Sequence, residues 1–156
     1  MASRLTRDTK SVASPPVILL AEDNAADASL VELAIRQSKL DADLRTLADG
    51  DAAVDYLRRM GRTREPFCPD LLILDLNLPA ASTEEILSVL NRHCSGHRIP
   101  VILITGLANP GEMDRICKLG NYRVFTKPNH LEEFLKLGDL VREALAGQQA
   151  ANPSAR

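Results

Sequence analysis

The sequence predicts an α/β fold: a doubly wound, five-stranded parallel sheet with helices on both faces. Three observations carry that expectation. Short apolar runs alternate five times with amphipathic stretches, the pattern of repeated βα units with right-handed crossovers. The strongest runs, Leu71-Leu72-Ile73-Leu74 and Val101-Ile102-Leu103-Ile104, are apolar without a break, as strands covered on both faces must be. Four of the five runs end in a side chain that carries chemistry, and parallel strands bring such ends to one edge of the sheet, where open α/β folds bind ligands.

In chain order, residues 1–16 are polar, rich in Ser and Thr, and end in Pro15-Pro16, which reads as a disordered leader. Val17 to Ala21 is the first strand, followed by Glu22-Asp23-Asn24. An amphipathic helix runs from Asp27 to Lys39, with Leu30, Val31, Ala34 and Ile35 on one face. Leu44 to Leu47 is a short second strand. Asp49-Gly50 turns the chain into a helix from Ala52 to Met60. A charged loop with two prolines spans 61–69.

Leu71 to Asp75 is the third strand. Ser82-Thr83-Glu84-Glu85 has the form of a capping box and opens the next helix. A polar turn around Gly96 leads to the fourth strand, Val101 to Thr105. Asn109-Pro110-Gly111-Glu112 gives a cap, a first-turn proline and an acid at the third helical position. That helix runs to Leu119, with Gly120 after it. Arg123 to Thr126 is the fifth strand. Asn129 caps a last helix running to about Leu145. The expected organisation is a leader (1–16), one domain (17–146) and a flexible tail (147–156).

Composition narrows the function. Net charge is −2, aromatics make up 3% and there is no Trp, so neither a basic nucleic-acid surface nor a stacking platform for bases is expected. No run is long enough to span a bilayer, and no signal peptide is apparent. Cys68, Cys94 and Cys117 are widely spaced and odd in number. That argues against a disulfide framework and for a reducing cytoplasm. His93, Cys94 and His97 match no standard zinc spacing and read as a polar turn.

Taken alone, Asp75 reads as the cap of the following turn. In company it reads differently. Glu22 and Asp23 follow the first strand, Asp75 ends the third, Thr105 ends the fourth and Lys127 follows the fifth. Three carboxylates in one crevice repel and call for a cation. An oxygen-only set without His or Cys selects a hard ion, with Mg²⁺ the natural choice. A lysine charge and a hydroxyl donor are surplus to the metal but suit the oxygens of a phosphoryl group. The set reads as a phosphoryl site with Asp75 as nucleophile, forming an acyl phosphate.

These residues resemble the receiver domain of bacterial two-component response regulators. The matching pieces are Glu22-Asp23, Asp75-Leu76-Asn77-Leu78-Pro79, Thr105-Gly106 and Lys127-Pro128, across about residues 17–146. The longer loops and the Glu-Asp-Asn start look most like single-domain regulators that accompany phytochrome-type histidine kinases. The resemblance implies a flavodoxin-like (βα)5 fold with strand order 2-1-3-4-5. It implies that Asp75 accepts a phosphoryl group from a kinase phosphohistidine. Asp23 would bind Mg²⁺ directly, Glu22 through water, and Asn77 through its backbone carbonyl. Lys127 would pair with the phosphoryl group, Thr105 would hydrogen-bond it, Gly106 would leave room beside it, and the Lys127–Pro128 bond would be cis. The protein would be a cytoplasmic switch rather than a turnover enzyme. It would signal through protein contact with an unknown downstream partner and without nucleic acid or membrane.

Two departures and two rival readings accompany the resemblance. Val124 stands where the family usually carries Tyr or Phe, with Tyr122 on the same face by strand alternation. Ser82-Thr83 replaces the usual Asp-Gly. One rival is a receiver-like scaffold that is not phosphorylated, or a phosphate sink or relay. The other is a phosphohydrolase, against which stand Asn77 in place of a second acid and the lack of a Gly-rich loop after the first strand. Finally, Leu137, Leu140, Val141 and Ala144 follow helical spacing apart from an inward stripe of Leu131, Phe134, Leu135 and Leu145. An exposed second stripe there would be a homodimer surface.

Overall fold

The computed structural model describes residues 14–60, 68–95, 98–106, 109–118, 120 and 122–151. Most of the leader, most of the 61–69 loop, His97, Leu119 and residues 152–156 lie outside the described residues.

Five parallel strands form one sheet in the order β2-β1-β3-β4-β5. They are β1 (Val17–Ala21), β2 (Asp43–Leu47), β3 (Leu71–Asp75), β4 (Val101–Thr105) and β5 (Arg123–Thr126). The helices are α1 (Ala25–Gln37), α2 (Gly50–Met60), α3 (Thr83–His93), α4 (Pro110–Cys117), α5 (Leu131–Phe134) and α6 (Lys136–Ala151). Every residue of β3 and β4 is buried, which is why their sequences carry no polar alternation. Alternate strand residues feed two cores. Leu19, Leu72, Leu74 and Leu103 pack with α2, α3 and Ile116 of α4. Ile18, Leu20, Ile73, Ile102 and Ile104 pack with α1, α5 and α6.

The caps follow the sequence closely. Ser82 Oγ accepts from the Glu85 N–H at 3.2 Å, and Asn109 Oδ1 accepts from the Glu112 N–H at 2.8 Å. α1 starts earlier than expected because Asn24, not Asp27, is its cap, accepting from the N–H groups of Ala26 and Asp27.

The C-terminal helix departs from expectation. It is two helices broken at Leu135, and α6 continues to Ala151. The cap residue of α5 is His130 rather than Asn129, and it makes no side-chain cap bond. Phe134, Leu137, Val141, Ala144 and Leu145 form one stripe buried against α1 and the sheet, continuous in helical spacing across the break, while Leu131, expected inside, is 51% exposed. The stripe read as a dimer surface is core. Gly138 makes this close packing feasible: a Cβ there would lie 2.9 Å from the Ala34 carbonyl carbon and 2.9 Å from Ser38 Cβ.

Two further expectations fail. Cys68 and Cys94 form a disulfide with their Cα atoms 5.9 Å apart, leaving Cys117 free. They are 26 residues apart in sequence, but the approach to β3 and the end of α3 meet at one edge of the sheet. No cis peptide bond occurs among the described residues, so Lys127–Pro128 is trans, the form that X-Pro bonds favour on their own.

Candidate phosphoryl and cation site

The sheet register assembles the site. Ala21 of β1 stands opposite Leu74 of β3, and Asp75 opposite Ile104 of β4. Thr105 stands opposite Thr126 of β5. Glu22, Asp75, Thr105 and Lys127 are thus neighbours at the carboxyl edge. The backbone ties the last two together, since the Lys127 N–H donates to the Thr105 carbonyl at 2.7 Å.

Each buried carboxylate is held at both oxygens. Asp75 Oδ1 accepts from the Asn77 N–H at 2.8 Å, and its Oδ2 accepts from Lys127 Nζ at 2.6 Å. Glu22 Oε1 accepts from the Asn24 N–H at 3.0 Å, and its Oε2 accepts from Lys127 Nζ at 2.9 Å. Asn77, expected as a carbonyl ligand, acts here through its backbone N–H, which fixes Asp75. Lys127 Nζ donates a third time, to Asp27 Oδ2 at 2.7 Å. All three ammonium donors are used.

Sequence pattern alone puts Asp27 only at a helix start. The signal that would have found it is Asn24: with the cap there, Asp27 falls in the first turn of α1, the turn that opens over the carboxyl edge of β1.

The electrostatics follow from burial. Glu22 is 2% exposed. Its desolvation outweighs the pull of Lys127 and the Asn24 N–H, and with Asp75 adding repulsion its carboxyl is pushed up to about 7. Burial of Lys127 disfavours its charged form. The hydrogen bonds it donates to Asp27, Asp75 and Glu22 more than reverse that and hold it charged, above the usual lysine range.

Thr105 is fully buried, and its Oγ1 has no hydrogen-bond partner among the described residues. A buried hydroxyl without a partner is costly, so the site has an unmet need for a polar ligand there. A Cβ on Gly106 would meet open space, in keeping with room beside the site. Tyr122 and Val124 pack on the α2–α3–α4 core while Phe125 packs on the other, edge-on to Phe134 at 5.7 Å. The expected strand alternation holds.

Oxygens of Glu22, Asp23 and Asp75 lie within 4.8 Å of one another. Three carboxylates converging without nitrogen or sulfur fit a hard divalent cation. Asp23 is exposed and the other two are buried, so such a cation would have solvent on one side.

The response regulator receiver domain family matches residues 18–138. The chain belongs to this family. The receiver is 34% identical to the response regulator Rcp1 of Synechocystis sp., over 79% of this chain and 84% of that protein. Among solved structures, the receiver resembles the phosphorylated cyanobacterial phytochrome response regulator RcpA (30% identity, TM-score 0.71, covering 83% of this chain and 93% of that one). It also resembles the Mn²⁺-bound form of Rcp1 (32% identity, TM-score 0.70, with the same coverage). The flavodoxin-like order 2-1-3-4-5 is that expected of the family. No described helix is long and apolar enough to cross a membrane.

Proposed function

We propose that this receiver is a phosphorylation switch in which Asp75 accepts a phosphoryl group from a histidine kinase. One Asp75 carboxylate oxygen attacks phosphorus, the bond from phosphorus to the kinase imidazole nitrogen breaks, and that nitrogen keeps the electron pair. The product is an acyl phosphate on Asp75. Lys127 turns from the free carboxylate to a phosphoryl oxygen, and the Thr105 hydroxyl donates to another. The Asn77 N–H keeps the acceptor carboxyl in place. Mg²⁺ held by Glu22, Asp23 and Asp75, with the Asn77 carbonyl, would neutralise the charge gathered there.

The observation that carries this reading is the buried Thr105 hydroxyl, without a partner among the described residues and one strand over from Asp75. A scaffold that is never phosphorylated gives no reason to bury it so. The likeness to RcpA and Rcp1 supports a kinase of the phytochrome type. Output would be contact with a downstream protein, and the protein would act in the cytoplasm as a switch rather than a turnover enzyme.

The test is incorporation of phosphate from acetyl phosphate with and without Mg²⁺, in wild type and Asp75→Asn. Labelling that needs both Mg²⁺ and Asp75 supports the switch. Absence of labelling in the wild type, from acetyl phosphate and from phosphorylated kinase alike, would leave the scaffold reading.

A further inference from the structure

We infer that Asp27 is a positioning residue, the anchor that keeps Lys127 aimed into the site once its other partners are engaged; this rests on the phosphoacceptor reading above. Lys127 Nζ is held by three carboxylates, Glu22, Asp75 and Asp27, at 2.9, 2.6 and 2.7 Å. Two of these, Glu22 and Asp75, also belong to the converging oxygen set that suits a cation. Asp27 does not. Cation binding therefore competes with Lys127 for two of its partners and leaves it the third.

The local structure suits Asp27 to the task. Its N–H is held by the Asn24 cap at 3.3 Å, which fixes the first turn of α1 over the crevice. Its side chain is 28% exposed, against 5% for Asp75 and none for Glu22, so it stands at the mouth of the site. A lysine tethered at the mouth can face an incoming phosphoryl group without swinging into solvent. Without the tether it is a charge on a flexible four-carbon stem.

The geometry predicts a conditional effect that a purely structural role would not give. In the metal-free protein, Glu22 and Asp75 hold Lys127 whether or not Asp27 is present. In the Mg²⁺-loaded protein, Asp27 carries the anchoring alone. Reductive methylation of Lys127, read by mass spectrometry, separates the two cases. Wild type is expected to stay protected in both states. Asp27→Asn and Asp27→Ala are expected to be protected without Mg²⁺ and several-fold more reactive with it.

Labelling of Asp75 from acetyl phosphate at saturating Mg²⁺ is expected to fall about tenfold in both variants, the weight of one charge-assisted hydrogen bond. Asp27→Glu should restore most of it. Equal methylation of variants and wild type in Mg²⁺, or wild-type labelling by Asp27→Ala, would overturn the inference. Equal gains in methylation with and without Mg²⁺ would also overturn it, as loosened packing rather than positioning. Failure of wild type to be labelled would remove the phosphoacceptor reading, while the methylation comparison would still decide the role of Asp27.

Discussion

Lys127 Nζ donates to Asp75 Oδ2 across 2.6 Å, joining the end of β5 to the end of β3. In the metal-free protein this lysine is the counter-charge for a crevice of acids. Lys127→Met should therefore destabilise the protein by about 3 kcal/mol, because removing one partner of a buried pair leaves the others uncompensated. The loss should be larger at pH 8 than at pH 6, since Glu22 can take up a proton at the lower pH. Urea unfolding at the two pH values checks this. Added Mg²⁺ should recover more stability in the variant than in wild type; equal recovery would show that Lys127 and the cation do not share partners.

Burial of Glu22 sets a pH dependence with a definite sign. Burial pushes its carboxyl up to about 7 in the folded protein, from an ordinary value of 4.5. Between those values the folded chain holds a proton that the unfolded chain has released, so this group's contribution to stability falls as pH rises from about 4.5 to about 7. Mg²⁺ needs the carboxylate, so its affinity should rise over the approach to pH 7, with proton release on binding. Calorimetric titration in two buffers of different ionisation enthalpy measures that release. Glu22→Gln should abolish it and flatten the slope in stability, while weakening Mg²⁺ binding.

Two glycines of α6 should respond in opposite directions. Gly138 sits against Ala34 and Ser38 of α1, where a Cβ would be 2.9 Å from both the Ala34 carbonyl carbon and Ser38 Cβ. Gly138→Ala should cost about 1–3 kcal/mol by overpacking and disturb the Arg142 bond to the Ser38 carbonyl. A Cβ on Gly147 would meet open space, so Gly147→Ala should gain up to about 1 kcal/mol through helix propensity. Thermal unfolding of both variants checks the pair, and destabilisation by Gly147→Ala would mean that α6 is not helical at its far end.

This contrast marks what was legible in the sequence. Glu22, Asp23, Asp75, Thr105 and Lys127 were legible because each ends or follows a strand of one parallel sheet, and parallel strands send their ends to one edge whatever the helices do. The faces of Tyr122, Val124 and Phe125 followed from alternation alone. The last helix was not legible. Its apolar residues offer more than one stripe, and the cue that selects the buried one, Gly138 against Ala34 and Ser38, acts through a helix about a hundred residues earlier. Asp27 was missed for the same reason: its partner is Lys127, 100 positions away, and only the cap at Asn24 ties it to the edge. The cysteines were misread because an odd count says nothing about which two meet.

The Cys68–Cys94 pair gives the last prediction. The bond joins the approach to β3 to the end of α3, at the edge of the sheet opposite Asp75. In the isolated, oxidised protein, alkylation under denaturing conditions should modify one cysteine, Cys117, and after reduction all three. Closing a loop of this length should stabilise the fold by about 3 kcal/mol, so reduction or Cys94→Ser should lower the urea midpoint accordingly. A glutathione pool of the cytoplasmic kind tends to keep such pairs as thiols, so a receiver acting in one would have to accept phosphate with the pair reduced. Labelling of Asp75 should therefore be the same with and without a dithiol reductant. A change in labelling on reduction would mean that strain at the cysteine edge reaches the site along β3, whose five residues are all buried, or along α3, which Cys94 caps.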